Sequence, residues 1–204
     1  PWAQKLTSDY RKPFPLLDSL QADPTRYVTR SVANHLNDIS KVDADLVLDT
    51  LQRWHDRQQQ TEQEMGFITN HALRTLIKQG HPKALDLLGF STQPDISITQ
   101  FDTTTPQVKL GDAFQFSLKI RSNKVQKLVI DYRMIFASDG RKPPQKMFKV
   151  KQLDLTADEE ILLTKRHPMR LMTTRRLQLG DHKIILFVNG QEMGSLVFEL
   201  MAAE

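Results

Sequence analysis

The chain has 204 residues, of which 39% are hydrophobic and 25% charged, and its 28 Lys and Arg against 24 Asp and Glu give a formal net charge of +4. These values are ordinary for a globular protein and exclude an intrinsically disordered chain. No apolar run approaches the roughly 20 residues of a membrane-spanning helix, and the absence of cysteine excludes disulfides, thiolate nucleophiles and Cys-ligated metal sites.

The first half of the chain has the apolar pattern of helices. Up to about Phe90 the apolar residues recur every three or four positions. We predict five helices from this spacing and from the Pro, Asp and Gly residues that start and stop them. They are a short helix ending at Leu20, a helix over 25–41 with Asp23 as N-cap, a helix over 44–57 capped by Asp43, a long helix over 62–79 ended by Gly80, and a short helix over 82–88.

The helical half also contains an internal repeat. A shift of 40 residues places Tyr27-Val28-Thr29 on Phe67-Ile68-Thr69 and Leu36 on Leu76. A period of about 40 with two helices per unit is typical of HEAT-like or armadillo-like solenoids. Such arrays need about three units for stability, and only about two to two and a half fit here. Since the chain also begins at Pro1 rather than Met, we expect it to be the C-terminal part of a longer solenoid.

The second half has the alternating pattern of strands. A polar linker at 91–94 precedes strands predicted at 114–120, 128–136, 184–188 and 196–200, with weaker ones at 95–101, 147–155 and 160–165. Asn189-Gly190 predicts a two-residue hairpin turn. Seven short strands predict an antiparallel, immunoglobulin-like or fibronectin-like β-sandwich. The predicted fold is therefore an α + β two-domain protein, with HEAT-like helical repeats over 1–90 and a sandwich over 95–204.

A polar stripe lies beside the apolar face of the helix over 25–41. Its side chains recur at i, i+4 and i+8, and the 40-residue shift gives them counterparts in the next repeat. Two stacked helices with such stripes would suit a nucleic-acid backbone, whereas an ordinary solvated helix face is the alternative. The candidate nucleic-acid contacts are Arg30, Asn34, Asn37, Lys41, Asn70, Arg74 and Lys78.

These residues carry a resemblance to a known family. The run over 30–41, Arg-Ser-Val-Ala-Asn-His-Leu-Asn-Asp-Ile-Ser-Lys, resembles the signature helix of the AlkC branch of the bacterial DNA alkylation repair glycosylases. Residues 71–82 and 84–90 are similar to the next repeat of that branch, and Pro1-Trp2-Ala3 and Asp23-Pro24 stand where its members have comparable residues. Residues 95–204 more loosely resemble the immunoglobulin-like domain that some AlkC-type members append.

The resemblance implies a HEAT-like solenoid that binds alkylated duplex DNA on its concave face and excises N-alkylated bases. We therefore expect DNA as the partner, no cofactor, no metal, no membrane association, a monomer and a cytoplasmic location. The runner-up function is a non-catalytic adaptor that binds protein or DNA through the solenoid groove and the sandwich.

Excision of an alkylated base requires little beyond lesion exposure and electrostatic stabilisation. Alkylation of a ring nitrogen leaves a cationic base that departs readily, and a carboxylate can stabilise the oxocarbenium-like sugar. Asp38 is the carboxylate best placed on the polar stripe, and its alternative role is an ion pair or hydrogen bond within its own helix, to Arg30, Asn34 or Lys41. Resemblance to the related AlkD-type repeats places a catalytic Asp more often upstream, so activity of this chain alone stays open.

A second basic surface is predicted on the sandwich, because all of the +4 charge lies after residue 94. Strict alternation points Lys119 and Arg121 outward from the second strand and Lys149 and Lys151 outward from the fourth, and these two strands share a sheet in the immunoglobulin order. Loops add further cations such as Arg141, Arg175 and Arg176. The hypothesis is an auxiliary face that contacts phosphates, and scattered solubilising charge is the alternative.

Overall fold

The computed structural model of the protein describes residues 9–140, 142–170 and 177–203. Trp2 and its two neighbours, together with Arg141, Arg175 and Arg176, therefore lie outside the described residues. The chain divides into two compact units, Pro1–Gly89 and Phe90–Glu204. We call them the helical unit and the sandwich unit, and each is described by itself.

The described part of the helical unit contains six helices. They are α1 (Phe14–Leu20), α2 (Arg26–Ile39), α3 (Ala44–Arg57), α4 (Glu62–Ala72), α5 (Arg74–Lys78) and α6 (Pro82–Leu87). The main packing is between α2 and α4, and α3 packs on both α2 and α6. The apolar stripes of α2, α3 and α4 form one core, in which Leu36, Leu51, Trp54 and Ile68 are fully buried.

Two of the described helices, α3 and α4, start at a side-chain cap. Asp43 caps α3 as predicted, because its Oδ1 accepts a hydrogen bond of 3.0 Å from the Leu46 backbone N–H. The prediction of Asp23 as the N-cap of α2 is wrong. Thr25 occupies that position with an extended backbone, and Asp23 instead accepts a 2.8 Å hydrogen bond from the Thr25 N–H and so stabilises the turn before the helix.

The predicted long helix over 62–79 is interrupted. The structure ends α4 at Ala72 and starts α5 at Arg74, with Leu73 between them at φ −91° and ψ 3°. The break leaves the first backbone N–H groups of α5 without partners in their own helix. One of them, on Thr75, donates to the side chain of Asn37 on α2 at 3.2 Å. A contact between helices thus supports a break that periodicity does not predict.

Corresponding helices in the first and second halves of the helical unit start fewer than 40 residues apart, although a shift of 40 aligned the two halves of the sequence. α2 starts at Arg26 and α4 at Glu62, 36 positions later, whereas α3 starts at Ala44 and α6 at Pro82, 38 positions later. The Asn37–Thr75 hydrogen bond also joins residues 38 positions apart. Two successive groups of helices are therefore present, and their continuation into a HEAT-like solenoid stays a prediction.

The described part of the sandwich unit contains eight strands in two sheets. They are β1 (Ile96–Thr103), β2 (Gln107–Lys109), β3 (Ala113–Ser122), β4 (Gln126–Ile135), β5 (Gln145–Leu155), β6 (Glu160–Pro168), β7 (Gly180–Val188) and β8 (Gln191–Met201). The sheet orders are β1-β3-β6 and β2-β8-β7-β4-β5. The short β2 was not predicted and pairs parallel with β8, so the expectation of an antiparallel sandwich holds for the other pairs only.

The core of the sandwich lies between the sheets and is aliphatic and aromatic. Phe114 stacks on Phe198 with ring centroids 3.9 Å apart, and Phe116 contacts Tyr132 edge to face at 5.3 Å. The predicted hairpin at Asn189-Gly190 is confirmed, since it joins β7 to β8 with positive φ at both residues, 46° and 77°.

Candidate nucleic-acid interface

A hydrogen bond between two side chains joins the polar faces of α2 and α4. The Nε2–H of His71 donates to Oδ1 of Asn34 at 2.9 Å. The His71 ring also stacks on Phe67, one turn earlier on α4, with centroids 5.4 Å apart and planes 14° from parallel. The stack and the hydrogen bond together restrain the orientation of this imidazole.

Two guanidinium groups act on the same imidazole. Burial lowers the pKa of His71 below its ordinary value, and the charges of Arg74 and Arg30 lower it further. His71 is therefore neutral at pH 7, with its proton on Nε2 and a lone pair on Nδ1. Arg74 is oriented by a 2.7 Å hydrogen bond from its Nη1 to the His71 carbonyl. We call four residues the α2–α4 cluster, after the two helices that the His71–Asn34 hydrogen bond joins. They are Arg30 and Asn34 on α2, His71 on α4 and Arg74 at the start of α5.

The α2–α4 cluster carries positive charge without a compensating acid. Arg30 and Asn34 are exposed, whereas His71 and Arg74 are half-buried. Over the described ranges, no carboxylate lies within 4 Å of either guanidinium group. Such a surface attracts anions, and guanidinium and amide groups donate hydrogen bonds to phosphate oxygens.

The scaffold beside the cluster is an ion pair between α2 and α4. Arg26 donates to both carboxylate oxygens of Glu64, at 2.8 and 2.9 Å from Nε, and its guanidinium lies 3.7 Å from the centroid of the Phe67 ring. Hydrogen bonds from Arg26 and Thr29 lower the pKa of Glu64. This network supports Phe67, which in turn supports the His71 ring.

Asp38 lies on α2 at the exposed surface, with 64% of its side chain accessible. Its Oδ1 accepts a hydrogen bond of 2.7 Å from Nζ of Lys41, which is three residues further along the chain. Of the alternative partners stated for Asp38, Lys41 is therefore the one it pairs with, and Lys41 lies two residues beyond the end of α2. Exposed ion pairs of this kind are worth at most about 1 kcal/mol, so solvent or a ligand can displace Lys41 readily.

The predicted outward position of Asn37 is wrong. The residue is only 1% exposed. Its Oδ1 accepts hydrogen bonds from the backbone N–H and the hydroxyl of Thr75, at 3.2 and 2.9 Å. Asn37 therefore joins α2 to α5 and is not a surface group.

Two further predicted contacts, Asn70 on α4 and Lys78 on α5, are both exposed but differ in their hydrogen bonding. Asn70 is exposed, and its Nδ2 donates to the Gly66 carbonyl of its own helix at 2.9 Å. Lys78 is exposed on α5 with no carboxylate within 4 Å among the described residues. Of the predicted set, the structure brings Arg30, Asn34 and Arg74 together around His71.

The predicted auxiliary basic face is wrong, because its two strands do not share a sheet. Lys119 and Arg121 lie on β3 in the three-stranded sheet, whereas Lys149 and Lys151 lie on β5 in the five-stranded sheet. The two β3 cations are also neutralised, Lys119 by Glu160 at 2.6 Å and Arg121 by Asp158 at 2.7 Å.

His71 is the member of the cluster that is not among the contacts predicted from the sequence. The signal that could have found it is a sequence separation of 37 or 38 residues, which recurs in Asn34–His71, Arg26–Glu64 and Asn37–Thr75. Trp54 lies in the core and donates from Nε1 to Asp18 at 2.6 Å.

The described residues contain neither a metal-binding cluster nor a helix that could span a membrane. The described residues contain no group of three or more His, Asp or Glu side chains that could hold a metal ion. No helix in the described ranges is both long enough and apolar enough to cross a membrane.

The architecture defines a protein that combines paired helices with an immunoglobulin-like sandwich. Residues 97–202 match the family model described as "Uncharacterised protein YhaZ, C-terminal Ig-like domain". This match covers half of the chain, and the chain belongs to that family.

Two relatives extend the similarity to the helical unit. The chain is 31% identical over 203 residues to the protein YhaZ of Bacillus subtilis strain 168, covering 98% of this chain and 56% of YhaZ. It is 34% identical to the Pseudomonas fluorescens alkylpurine DNA glycosylase AlkC, whose structure is solved bound to DNA containing an abasic site analog. That likeness has a TM-score of 0.89 and covers 98% of this chain and 55% of AlkC. The chain thus spans little more than half the length of both relatives.

Proposed function

We propose that this chain acts in the repair of alkylated DNA, as the C-terminal part of a DNA glycosylase that hydrolyses the N-glycosidic bond of N-alkylated bases. In this proposal the helical unit binds the DNA backbone through the α2–α4 cluster, with Lys78, Asn70 and Lys41 as flanking contacts. The observation that carries the proposal is the likeness over 98% of the chain to a DNA glycosylase bound to DNA.

The chemistry of the α2–α4 cluster supports a phosphate contact. Arg30 is exposed and unopposed by a carboxylate among the described residues, and Arg74 is held in place by the His71 carbonyl. Because His71 stays neutral at pH 7, the cluster carries two fixed positive charges and two neutral hydrogen-bonding groups. Two cations on one surface can each contact a phosphate, so two successive phosphates of a nucleic-acid backbone suit this cluster better than a single anion does.

The proposed role of Asp38 is to stabilise positive charge on the sugar as the alkylated base leaves. Its carboxylate is exposed and lies on the same helix as Arg30 and Asn34, two and one turns after them. Lys41 neutralises it in the free protein, so DNA that attracts Lys41 to a phosphate would release the carboxylate. The base is already cationic when N-alkylated, and no cofactor is needed in this scheme.

A second candidate function is binding without catalysis. The observation that favours it is the Asp38–Lys41 ion pair, in which the only proposed catalytic carboxylate already has a partner. An adaptor of this kind would bind duplex DNA through the same cluster and release no base.

The experiment that tests the proposal measures binding of the chain to duplex DNA with an abasic-site analog over a salt series, together with release of alkylated bases. We expect the logarithm of affinity to fall linearly with the logarithm of salt concentration, with a slope near −0.9 for each phosphate contact. Salt-independent binding, or no binding, contradicts the proposal. Binding without base release supports the adaptor or a part of the enzyme that needs the rest of the protein.

Charge-reversal variants test whether duplex DNA binds at the α2–α4 cluster. Arg74→Glu and Arg30→Glu should each lower affinity at least about tenfold and reduce the salt slope by about one. The matched control is Arg57→Glu, which changes the charge equally at an exposed position on α3 outside the cluster. Equal effects of all three substitutions would show attraction by net charge alone, and the proposed site would then be wrong.

A further inference from the structure

A cavity opens at the side of the sandwich unit where an edge strand of each sheet contributes to one lining. β5 is the last strand of the five-stranded sheet and β6 the last strand of the three-stranded sheet. Residues of both strands line a cavity of about 550 Å³, which is the size of a small-molecule site. The function proposed above makes no use of this cavity.

Each of the two edge strands contributes a cation and an aromatic ring two residues apart. Lys146 and Phe148 come from β5, and Lys165 and His167 come from β6. Side chains two positions apart lie on the same face of a strand, so each cation stands beside its ring. The Phe148 and His167 rings meet edge to face with centroids 4.6 Å apart, and Tyr132 stacks on Phe148 at 5.4 Å. The cavity therefore has an aromatic wall.

The imidazole in this wall is neutral and hydrogen-bonded. The Tyr132 hydroxyl lies 2.6 Å from Nδ1 of His167. Burial, followed by the charges of Lys165, His182 and Lys146, lowers the pKa of His167 to about 4. Burial also raises the pKa of Tyr132, so the hydrogen bond joins two uncharged side chains at pH 7.

The polar part of the lining is cationic. Lys146, Lys165, Arg166 and Arg170 line the cavity, and the described part of its lining contains no Asp or Glu. In the described part of the chain none of these four cations has a carboxylate within 4 Å. Four cations without an acid, beside a neutral imidazole, form a site that favours a multivalent anion such as a phosphate.

We propose that this cavity binds a nucleoside monophosphate group, with the base against the Phe148 wall and the phosphate among Lys146, Lys165 and Arg166. Both parts of such a ligand are matched, because bases stack on aromatic side chains and phosphates pair with unopposed cations. The group can belong to a free nucleotide or to the 5′-phosphorylated end of a strand. The site is separate from the α2–α4 cluster, so it can exist whether or not the helical unit binds duplex DNA.

The test is titration of the full chain with deoxyadenosine 5′-monophosphate, followed by NMR or calorimetry. Deoxyadenosine lacks the phosphate and deoxyribose 5-phosphate lacks the base. Each should bind at least about tenfold more weakly than the nucleotide. Equal binding of the nucleotide and of inorganic phosphate would overturn the base contact. No saturable binding of the nucleotide at concentrations up to about 10 millimolar would overturn the site.

Two variants and one control keep the test independent of folding. Phe148→Leu removes the stacking wall, and Lys146→Gln removes one exposed cation; each should weaken nucleotide binding about three- to tenfold. Lys149→Gln is the matched control, because it removes an exposed lysine of the same strand that does not line the cavity. An effect of Lys149→Gln as large as that of Lys146→Gln would overturn the site, and thermal unfolding checks that Phe148→Leu is folded.

Oligonucleotides distinguish the two sources of the ligand. Competition by a 5′-phosphorylated strand, but not by the same strand with a 5′-hydroxyl, would assign the site to strand ends. Competition by neither, with nucleotide binding intact, would assign it to free nucleotides. Binding of a strand through Phe148 irrespective of its 5′-phosphate would contradict the proposed placement of the phosphate.

Discussion

Asn37 on α2 holds the start of α5, since its one side-chain oxygen accepts hydrogen bonds from both the backbone N–H and the hydroxyl of Thr75. The residue is 1% exposed, so water cannot replace its side chain without opening the packing of α2 on the helices that follow. The contact stabilises the break at Leu73 and thereby the orientation of Arg74, the first residue of α5.

The first prediction concerns the stability that this contact supplies. Asn37→Ala should lower the free energy of unfolding by about 1–3 kcal/mol, because a buried N–H and a hydroxyl lose their acceptor. Asn70→Ala is the control, since Asn70 is exposed and bonds only to its own helix, and it should change stability by less than about 0.5 kcal/mol. Urea unfolding followed by circular dichroism measures both, and equal effects of the two substitutions would contradict the assigned role of Asn37.

The second prediction is the pH dependence of the α2–α4 cluster. The pKa of His71 is lowered in the folded protein relative to the ordinary value of about 6.5. The unfolded chain therefore binds the proton more tightly, so the contribution of His71 to stability is complete above about pH 6.5 and is lost as the pH falls through the folded-state pKa.

An NMR titration of the His71 ring tests the cause of this shift. Burial is its largest cause and stays in place in Arg74→Gln and Arg30→Gln, so each substitution should raise the pKa of His71 only part of the way towards 6.5. An unchanged pKa in both variants would mean that the two guanidinium groups do not act on the imidazole.

The third prediction concerns the Asp38–Lys41 ion pair. Asp38→Asn should change the free energy of unfolding by less than about 1 kcal/mol, because both partners are at least half exposed. The same substitution frees Lys41 and removes a negative charge, so affinity for duplex DNA at low salt should rise. A loss of stability above about 2 kcal/mol, measured by urea unfolding, would show that Asp38 has a structural role instead.

The fourth prediction concerns the hairpin between β7 and β8. Asn189 is buried, and its amide bonds to Val129 N–H at 2.8 Å, to the Ser91 carbonyl at 2.8 Å and to the Lys127 carbonyl at 3.1 Å. Asn189→Ala loses these hydrogen bonds and also strains a residue with positive φ, so it should destabilise by about 2–4 kcal/mol.

Asn189→Gly separates the two contributions of this residue. Glycine adopts positive φ without strain but makes no side-chain hydrogen bond, so Asn189→Gly should be less destabilising than Asn189→Ala. Thermal unfolding of the two variants gives the comparison. A glycine variant as stable as the unmodified protein would mean that the hydrogen bonds to Val129, Ser91 and Lys127 contribute nothing.

The local features of this protein follow from the sequence. The change from helical spacing to strand alternation places the helices before the strands, because apolar periodicity depends only on neighbouring residues. Capping by Asp43 and the Asn189-Gly190 turn were predicted for the same reason, since each needs a few consecutive residues.

Contacts between distant segments required the tertiary structure. The burial of Asn37 and the break at Leu73 depend on how α2 and α5 meet across 38 residues, and no local pattern contains that register. Sheet membership is equally nonlocal. The alternation pattern correctly predicted that Lys119 and Lys149 are accessible, but only strand pairing assigns them to different sheets. Sequence thus determined where the helices and strands lie, and packing decided which polar side chains are buried and which of them meet, because spatial neighbours are set by the energy of the whole assembled core.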